Sequence, residues 1–304
     1  MAGVARLVVV ANPTAGRGKA GKLIGKVDAA LDALRIEHEV RVAGSAADME
    51  DTARRVASDG ADIVAVLGGD GTVSCAANGV LGSEAALAVL PAGTGDDFAK
   101  AVGASKLDAA VRLLADPKVR AIDVVKVTAG VTVRYFVNVA GAGFDSEVNE
   151  TANAMKLRLG GTGTYVAAVV KTLSRFVPAH YEIAVDDDAF SVDAMLAVVG
   201  NGMQYGGGMK VLPAARVNDG LLDVCIVEEL SKPAFLRAFP RVFTGSHTNH
   251  PKVRMLRGTR VTMEANRKIQ LYADGERVGP LPAVFQLMPG ALNVVVGPDA
   301  KGIS

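Results

Sequence analysis

The chain has 304 residues, of which 50% are hydrophobic and 21% are charged, with a formal net charge of +1. This composition is typical of a globular protein with a large buried core, and it excludes a disordered chain. The near-neutral charge and the absence of tryptophan provide neither the basic surface nor the aromatic platform that nucleic-acid binding uses.

The cysteines and the hydrophobic runs indicate where the protein works. Cys75 and Cys225 are expected to be small core residues, because two distant cysteines form neither a disulfide framework nor a zinc pattern. That usage fits a reducing cytoplasm. No uninterrupted run of about 18 apolar residues occurs, so the sequence predicts no membrane-spanning helix. We therefore expect a cytoplasmic protein with at most peripheral contact to a membrane.

The first 125 residues alternate short apolar runs with helical patterns. Runs that end in Gly, Asn or Pro predict buried parallel strands, and segments with apolar residues at helical spacing predict helices between them. Ser45 and Asp48 are suited to the start of the second helix. The predicted strands cover residues 6–12, 37–43, 61–68 and 86–93, and the predicted helices cover 19–34, 45–59 and 72–81. This alternation predicts an α/β domain with a doubly wound, Rossmann-like parallel sheet.

The pattern changes after residue 125. Alternating strand-like segments joined by tight turns follow one another, with helical inserts at 145–176 and 232–244, which predicts a mainly antiparallel β domain. We place the first domain at residues 1–125 and the second at residues 126–289. The last apolar run, within residues 290–304, is a candidate strand that returns to the first domain or joins the second.

Three glycine-bearing loops follow the predicted strands of the first domain: NPTAGRGK from Asn12, GGDGT from Gly68 and AGTGDD from Ala92. Because ligands of doubly wound sheets bind at the carboxyl ends of the strands, we expect these loops to form one site. The G-x-G-x-x-G match at 16–21 lacks the acid that a dinucleotide fingerprint requires after the second strand. The near match to a P-loop has Leu23 where a metal-binding hydroxyl is needed. We interpret the first loop as a basic rim suited to phosphates.

Asp70, Asp96 and Asp97 place carboxylates in loops that otherwise favour anions. Acids beside a nucleotide phosphate are useful if they hold a divalent cation or act on an attacking hydroxyl. A helix cap is the simpler explanation for a single such acid. The repetition of the pattern in two successive loops favours a catalytic or metal-binding role.

Five motifs, in this order, resemble the catalytic fold of diacylglycerol kinases, which is shared with sphingosine and ceramide kinases. They are NPTAGRGK (12–19), GGDGTVS (68–74), PAGTGDDFA (91–99), YGGGMKVLPAARVNDGLLDV (205–224) and YADGE (272–276). The resemblance covers nearly the whole chain and is strongest for bacterial soluble diacylglycerol kinases. It implies an N-terminal α/β domain, a C-terminal β-sandwich domain and a nucleotide cleft between them.

The resemblance implies that ATP lies across the rim of the first domain, with its phosphates and ribose held by the glycine loops. The implied contacts are Asn12, Pro13, Thr14, Ala15, Gly16, Arg17, Gly68, Gly69, Asp70, Gly71, Thr72, Gly93, Thr94 and Asp97. Family members commonly carry Asn at the position of Asp96, so this loop has an additional negative charge.

The resemblance also implies a catalytic role for three acids. Glu276 corresponds to the general base that takes the proton from the lipid hydroxyl, and Asp274 forms the tight turn that aims it. Asp70 would either bind Mg²⁺ through water or orient the hydroxyl. Taken alone, the Asp-Gly-Glu segment would be interpreted as an exposed hairpin turn.

A metal site is implied by the segment NDGLLD. The Asp219 carboxylate and the Leu221 carbonyl resemble ligands of a structural Mg²⁺, and Asp123 corresponds to a second acid linked to the nucleotide metal. Some members supply an acid at the position of Arg216, where this chain carries a cation that would oppose the metal.

The implied function is the ATP- and Mg²⁺-dependent phosphorylation of diacylglycerol to phosphatidic acid, a step of phospholipid biosynthesis. Such an enzyme would be cytoplasmic, would contact the inner face of the membrane peripherally and could form a homodimer. Three alternatives stay open: a kinase for another lipid alcohol (a sphingoid base, ceramide or a polyprenol), an enzyme similar to NAD kinases, which also carry GGDGT, and a non-catalytic lipid-binding regulator.

Overall fold

The computed structural model describes residues 6–154, 161–300 and 302–303. Its N-terminal half is a parallel sheet with helices between the strands. The strands are β1 (Leu7–Ala11), β2 (His38–Val42), β3 (Ile63–Gly68) and β4 (Ala86–Pro91), and the helices are α1 (Ala15–Ala33), α2 (Ala46–Ser58), α3 (Asp70–Val80), α4 (Asp97–Ala101) and α5 (Leu107–Leu113). The strands pair in the order β2-β1-β3-β4. The predicted doubly wound α/β arrangement is confirmed.

The starts of α1 and α2 are explained by the residues that precede them. Gly16, Arg17 and Gly18 have φ values of 59°, 61° and 83°, so the regular part of α1 begins at Lys19, as the sequence predicted. The hydroxyl of Ser45 accepts a hydrogen bond from the backbone N–H of Asp48 at 3.1 Å and caps α2.

The C-terminal half consists mainly of antiparallel strands. These are β5 (Lys118–Ala129), β6 (Thr132–Phe136), β7 (Val139–Gly143), β8 (Ala179–Val185), β9 (Asp188–Gly200), β10 (Leu222–Glu228), β11 (Val253–Gly258), β12 (Arg260–Ala265), β13 (Gln270–Ala273), β14 (Glu276–Pro280) and β15 (Ala283–Val296). The helices are α6 (Phe144–Ala154), α7 (Gly161–Arg175) and α8 (Lys232–Ala238), followed by 3₁₀ helices at Phe239–Phe243 and Ser246–Asn249. The predicted antiparallel β architecture is therefore also confirmed.

Strand β15 connects the two halves. It pairs antiparallel with β5 and β12, and near its end Val294 lies beside Leu87 of β4 in a parallel pairing. The last apolar run thus reaches the first sheet. The predicted boundary at residue 125 falls inside β5, and the division of the chain into two domains stays a prediction.

Three clusters of buried side chains form the core. One lies around β1, β3 and β4, the second lies between the strands of the C-terminal half, and the third lies between β7, β9, β10 and helices α6 to α8. Cys75 and Cys225 are both buried free thiols, as expected. Among the described residues, no helix is both long enough and apolar enough to span a membrane.

Candidate active site

The three glycine loops meet at the carboxyl ends of β1, β3 and β4. A Cβ atom added at Gly16 would lie 2.2 Å from the carbonyl oxygen of Ala92, and one added at Gly69 would lie 3.1 Å from the Cα of Gly93. Glycine is needed at position 16, because a side chain there would push the loops apart, whereas a side chain at position 69 would make a tight contact with the third loop. The expectation that these loops share one rim therefore agrees with their packing.

The first loop presents its side chains to solvent at this rim. The side-chain oxygen of Asn12 accepts hydrogen bonds from the backbone N–H of Thr14 at 3.1 Å and from the Thr14 hydroxyl at 2.7 Å, which fixes the turn. The side chains of Thr14 and Arg17 are exposed, and Arg17 has a left-handed φ of 61°. Accessible basic and hydroxyl groups therefore stand beside the other two loops.

Asp70 begins α3 and is enclosed by the third loop. One carboxylate oxygen accepts a hydrogen bond from the backbone N–H of Phe98 at 3.1 Å, and a Cβ added at Gly95 would lie 2.9 Å from the other. The pKa of Asp70 is raised to about 6, mainly by burial and in part by the neighbouring carboxylates of Asp97 and Asp96. A desolvated acid among other acids favours either a proton or a nearby cation.

The carboxylate of Asp96 is directed toward its own loop. It accepts a hydrogen bond from the backbone N–H of Gly93 at 2.9 Å, with the residue in a left-handed conformation of φ 50°. Burial raises the pKa of this carboxyl group. The additional charge that distinguishes this loop is therefore used to close the turn.

Asp97 joins the two halves of the molecule across the cleft. It is 2% exposed, and its carboxylate accepts hydrogen bonds from the side-chain amide of Gln204 at 2.9 Å and from the backbone N–H of Gly207 at 2.7 Å. The ammonium of Lys100 lies 3.5 Å from the same carboxylate. Its two oxygens thus hold Gln204 and Gly207 against α4, and the contact of Asp97 with a nucleotide stays a prediction.

The segment Asp274-Gly275-Glu276 forms a tight hairpin between β13 and β14. Asp274 and Gly275 have φ values of 48° and 85°, the pair of left-handed residues that two-residue hairpins require. The carboxylate of Asp274 accepts three backbone hydrogen bonds, from Val137 at 3.0 Å, Asn138 at 3.1 Å and Val139 at 3.0 Å. The hairpin is thereby attached to the start of β7.

The hairpin carries Glu276 to the second glycine loop. A Cβ added at Gly71 would lie 3.4 Å from a carboxylate oxygen of Glu276, whose side chain is exposed. The structure therefore brings Asp70, Asp274 and Glu276 to one cleft, although more than 200 residues separate Gly71 from Glu276 along the chain.

The buried acids of this cleft predict an unusual dependence of stability on pH. The pKa of Asp274 is raised to about 6, mainly by burial and in part by the neighbouring carboxylate of Asp70, whose own pKa burial also raises to about 6. A pKa that is higher in the folded state than in the unfolded chain stabilises the fold at low pH, and this contribution is lost as pH rises through the folded value. We expect the melting temperature to increase by a few degrees between pH 7 and pH 5 in a metal-free buffer.

This expectation is measured by thermal unfolding across that pH range. In the Asp70→Asn variant, which cannot ionise at this position but can still accept the Phe98 hydrogen bond, the increase should be clearly smaller. A melting temperature that is flat or falls between pH 7 and pH 5 in the unmodified protein would contradict the assignment.

Asp219, one of the predicted metal ligands, is already paired with the side chain of an arginine. Asp219 is in an ion pair with the guanidinium of Arg257, which also lies 3.3 Å from the carboxylate of Asp223, a residue with only 3% of its side chain exposed. The carboxylate of Asp123 accepts backbone hydrogen bonds from Gly220 and Gly290, both at 2.8 Å. Asp123 is thus held against the loop that contains Asp219 and Leu221.

This donor set does not fit a divalent ion as it stands, because the guanidinium of Arg257 already neutralises Asp219. Among the described residues, no cluster of three or more His, Cys, Asp or Glu side chains forms a cation site. A metal ligated by Asp219 and Leu221 stays a prediction, and we assign no catalytic step to it.

Removing the competing cation should make this loop more responsive to Mg²⁺. We expect the Arg257→Gln variant to be less stable than the unmodified protein without metal, and to gain more in melting temperature when millimolar Mg²⁺ is added. Adding the Asp219→Asn substitution to this variant should abolish the additional gain. Equal responses to Mg²⁺ with and without Arg257 would rule out its role as a competitor.

An apolar cavity, not predicted from the sequence, lies between β9 and helices α6 and α8. We call it the α6–α8 cavity. Its apolar walls include Phe144, Leu196, Val211, Phe235, Phe239 and Val242. Polar side chains that line it include Asp145, Tyr205 and His247. Its phenylalanines are spread along the sequence and only the fold brings them together.

Gln204, Gly207 and Arg257 were likewise not predicted as parts of a site. The three successive glycines at 206–208 were the available signal for a close backbone approach, and Gly207 indeed contacts Asp97. No motif in the sequence marks Arg257 as part of a site. Its partner Asp219 lies 38 positions away, which no local pattern reveals.

The fold and this cleft together define a class of enzyme. An α/β domain with glycine loops at the strand ends, faced by a carboxylate from an antiparallel β domain, is an arrangement suited to phosphoryl transfer to an alcohol.

Comparison with known proteins is consistent with this class and gives the family. Residues 6–127 match the diacylglycerol kinase catalytic domain, and residues 138–296 match the YegS C-terminal NAD kinase beta sandwich-like domain. The chain is 33% identical over 296 residues to a diacylglycerol kinase of Mycobacterium tuberculosis (strain ATCC 25618 / H37Rv), covering 96% of this chain and 95% of that protein. It is 29% identical over 296 residues to a diacylglycerol kinase of Bacillus subtilis (strain 168), covering 96% of each.

A solved structure agrees with these sequence matches. A candidate diacylglycerol kinase from Bacillus anthracis str. Sterne superposes with a TM-score of 0.80 at 25% identity, over 98% of this chain and 99% of that one. The chain therefore belongs to the diacylglycerol kinase family, a family of lipid kinases within the transferases. The predicted β-sandwich is confirmed by the same comparisons.

Proposed function

We propose that this chain is an ATP- and Mg²⁺-dependent kinase that phosphorylates diacylglycerol to phosphatidic acid at a membrane surface. The observation that carries the proposal is the position of Glu276, whose carboxylate stands over Gly71 of the second glycine loop. A base at that point faces the place where a phosphate held by the loops would meet an incoming hydroxyl. The M. tuberculosis and B. subtilis relatives are named as diacylglycerol kinases, which supports the acceptor.

Phosphoryl transfer requires mainly that the protein position the reactants and neutralise the charge on the phosphates. The glycine loops, with the exposed Thr14 and Arg17, would bind the phosphates of ATP through backbone N–H groups and one guanidinium. Glu276 would accept the proton of the acceptor hydroxyl as the new P–O bond forms. Asp274 holds the hairpin in place, so that Glu276 points into the cleft.

The cleft also fits a hydrated Mg²⁺. Asp70 provides a hard oxygen donor at the loop rim, and Mg²⁺ in nucleotide sites is usually held by one or two carboxylates together with substrate phosphates and water. When bound, the ion would neutralise charge on the transferred phosphate. The raised pKa of Asp70 supports this, because a desolvated carboxylate gains from a neighbouring cation.

A row of phenylalanines supports a lipid acceptor. Phe176 contacts Phe144 at a centroid distance of 5.3 Å, Phe144 contacts Phe235 at 4.7 Å, Phe235 contacts Phe239 at 6.0 Å, and Phe239 contacts Phe243 at 6.2 Å. Phe144 is buried, whereas Phe243 is 47% exposed. The row leads from the α6–α8 cavity to the surface, and we propose that an acyl chain of the acceptor lies along it.

The outer end of this row suits contact with a membrane. Residues 232–243 expose the apolar side chains of Leu236 and Phe243 beside the basic side chains of Lys232, Arg237 and Arg241. Apolar groups that enter the interface and cations that attract anionic headgroups are the two parts of a peripheral membrane contact. We therefore assign the membrane-facing side to this segment. A homodimer stays a prediction.

The function is tested by incubating the protein with labelled ATP, Mg²⁺ and mixed micelles that contain one candidate acceptor each. Diacylglycerol should yield labelled phosphatidic acid at a much higher rate than a sphingoid base, ceramide or a polyprenol. A parallel reaction with NAD should remain unlabelled. A faster reaction with another lipid, or none with any of them despite ATP binding, would overturn the proposed acceptor or the catalytic role respectively.

A further inference from the structure

Two amide side chains connect the third glycine loop to the hairpin that carries Glu276. The side-chain amide of Gln204 donates a hydrogen bond to the carboxylate of Asp97 at 2.9 Å, and the backbone carbonyl of Gln204 accepts one from the side-chain amide of Asn138 at 2.7 Å. The backbone N–H of Asn138 in turn donates to the carboxylate of Asp274 at 3.1 Å. We call Gln204 and Asn138 the amide link, because together they join the two sides of the cleft.

The surroundings of Asn138 fix the orientation of the amide link. The backbone carbonyl of Asn138 accepts hydrogen bonds from the N–H groups of Asn201 at 2.9 Å and Gly202 at 2.8 Å. A Cβ added at Gly202 would lie 1.8 Å from the side-chain oxygen of Asn138, so the amide packs directly on this glycine. Asn138 is also 6% exposed, and a buried donor is costly to leave without its partner. Its side chain therefore has one favourable arrangement, which is the one that reaches Gln204.

The two ends of the amide link lie beside the two acids of the proposed reaction. At one end, Asp97 is followed by Phe98, whose backbone N–H donates a hydrogen bond to the Asp70 carboxylate at 3.1 Å. At the other end, Asp274 begins the turn that leads to Glu276. Asp97 stands at the start of a short helix and Asp274 stands in a turn, so strand pairing does not fix the distance between them. The amide link supplies that connection.

We infer that Gln204 and Asn138 are positioning residues, which set the distance between the phosphate held by the glycine loops and the base that accepts the proton. The inference rests on the proposed function, since it takes Glu276 as that base. Neither amide is assigned a contact with a substrate. Their effect is on the chemical step, because displacing the reacting groups by about 1 Å can lower a rate about 100-fold.

The first test is the Gln204→Met variant, which keeps the length of the side chain and removes the amide donor. We expect kcat with diacylglycerol and ATP to fall about 10- to 100-fold, with KM for both substrates nearly unchanged. The control Gln286→Met removes an exposed amide from β15 and should leave kcat unchanged. Melting temperatures are recorded for every variant, and kcat is measured well below the lowest of them, so that a loss of folded protein is not counted as a loss of rate.

A double-mutant cycle with Glu276→Gln separates positioning from a general effect on the fold. If Gln204 acts through the base, Gln204→Met should not lower kcat further once Glu276 has been replaced. A merely structural role would give losses that multiply. Asn138→Ala interrupts the same link and should lower kcat in the same way, again without a further loss in the Glu276→Gln background. Should Asn138→Ala fail to fold, the cycle with Gln204 decides alone.

An unchanged kcat in Gln204→Met, or a loss that multiplies with that of Glu276→Gln, would overturn the inference. A raised KM for ATP at constant kcat would also overturn it, because Gln204 would then serve nucleotide binding. These results leave the proposed function in place as long as Glu276→Gln alone is slow. Full turnover by Glu276→Gln would instead refute the base itself, and the inference would fall with it.

Discussion

Turnover is expected to fall about 10²- to 10⁴-fold when Glu276 is replaced by Gln, the range that a positioned general base contributes. The substitution keeps the size and hydrogen-bonding capacity of the side chain and removes only its ability to take a proton. The side chain of Glu276 is exposed on a hairpin, so the melting temperature should change little. The measurements are kcat with diacylglycerol and the dissociation constant for ATP, which should stay near its unmodified value.

A matched control for this variant is Glu264→Gln, which removes an exposed carboxylate from β12. Its kcat should equal that of the unmodified protein, since a change in total charge alone is not expected to alter the chemical step. A kcat for Glu276→Gln within tenfold of the unmodified enzyme would exclude Glu276 as the base and would redirect attention to Asp70.

Much of the α/β half was predictable because its signals are local. Buried parallel strands are continuous apolar runs, and the glycines that follow β1, β3 and β4 mark both the strand ends and the loops of the site. The start of α2 at Ser45 depends on one hydroxyl and one N–H three residues apart. Contacts between residues this close in the sequence can be predicted from a short sequence pattern.

The cleft was predictable only in part, since its other half comes from a distant hairpin. The order of the glycine loops placed Asp70 at the rim, but nothing in the residues themselves placed Glu276 over Gly71. That step came from the resemblance to a family. Considered alone, an Asp-Gly turn between two strands is among the commonest features of β proteins.

Other features could not be predicted because two distant segments create them. The carboxylate of Asp97 bonds residues more than 100 positions away, and the same holds for the contact of Asp274 with β7. Strand β15 continues past the predicted boundary at residue 289 with only an irregularity in its pairing between Met288 and Leu292, so the boundary does not coincide with the end of a strand. The α6–α8 cavity exists only after α6 and α8 pack on the same face of the sheet.

The Asp274→Ala variant is expected to lose both stability and activity. Removal of the carboxylate leaves the N–H groups of Val137, Asn138 and Val139 unpaired, and each such loss costs about 1–3 kcal/mol when the group is buried. Alanine also tolerates the φ of 48° at this position less well than aspartate does. The free energy of unfolding should therefore fall by at least about 3 kcal/mol, as measured by urea denaturation.

Activity should fall with it, because this turn joins the two strands that position Glu276 and is itself attached to the start of β7. The protein offers a matched control in Asp186, an exposed aspartate with a φ of 51° at the turn between β8 and β9. Its carboxylate likewise accepts backbone hydrogen bonds, from Thr259 at 3.0 Å and Arg260 at 2.9 Å. Asp186→Ala should lower stability yet leave kcat unchanged. If both variants lost the same share of kcat, the effect of Asp274 would be one of general stability, and the hairpin would not be what aims the base.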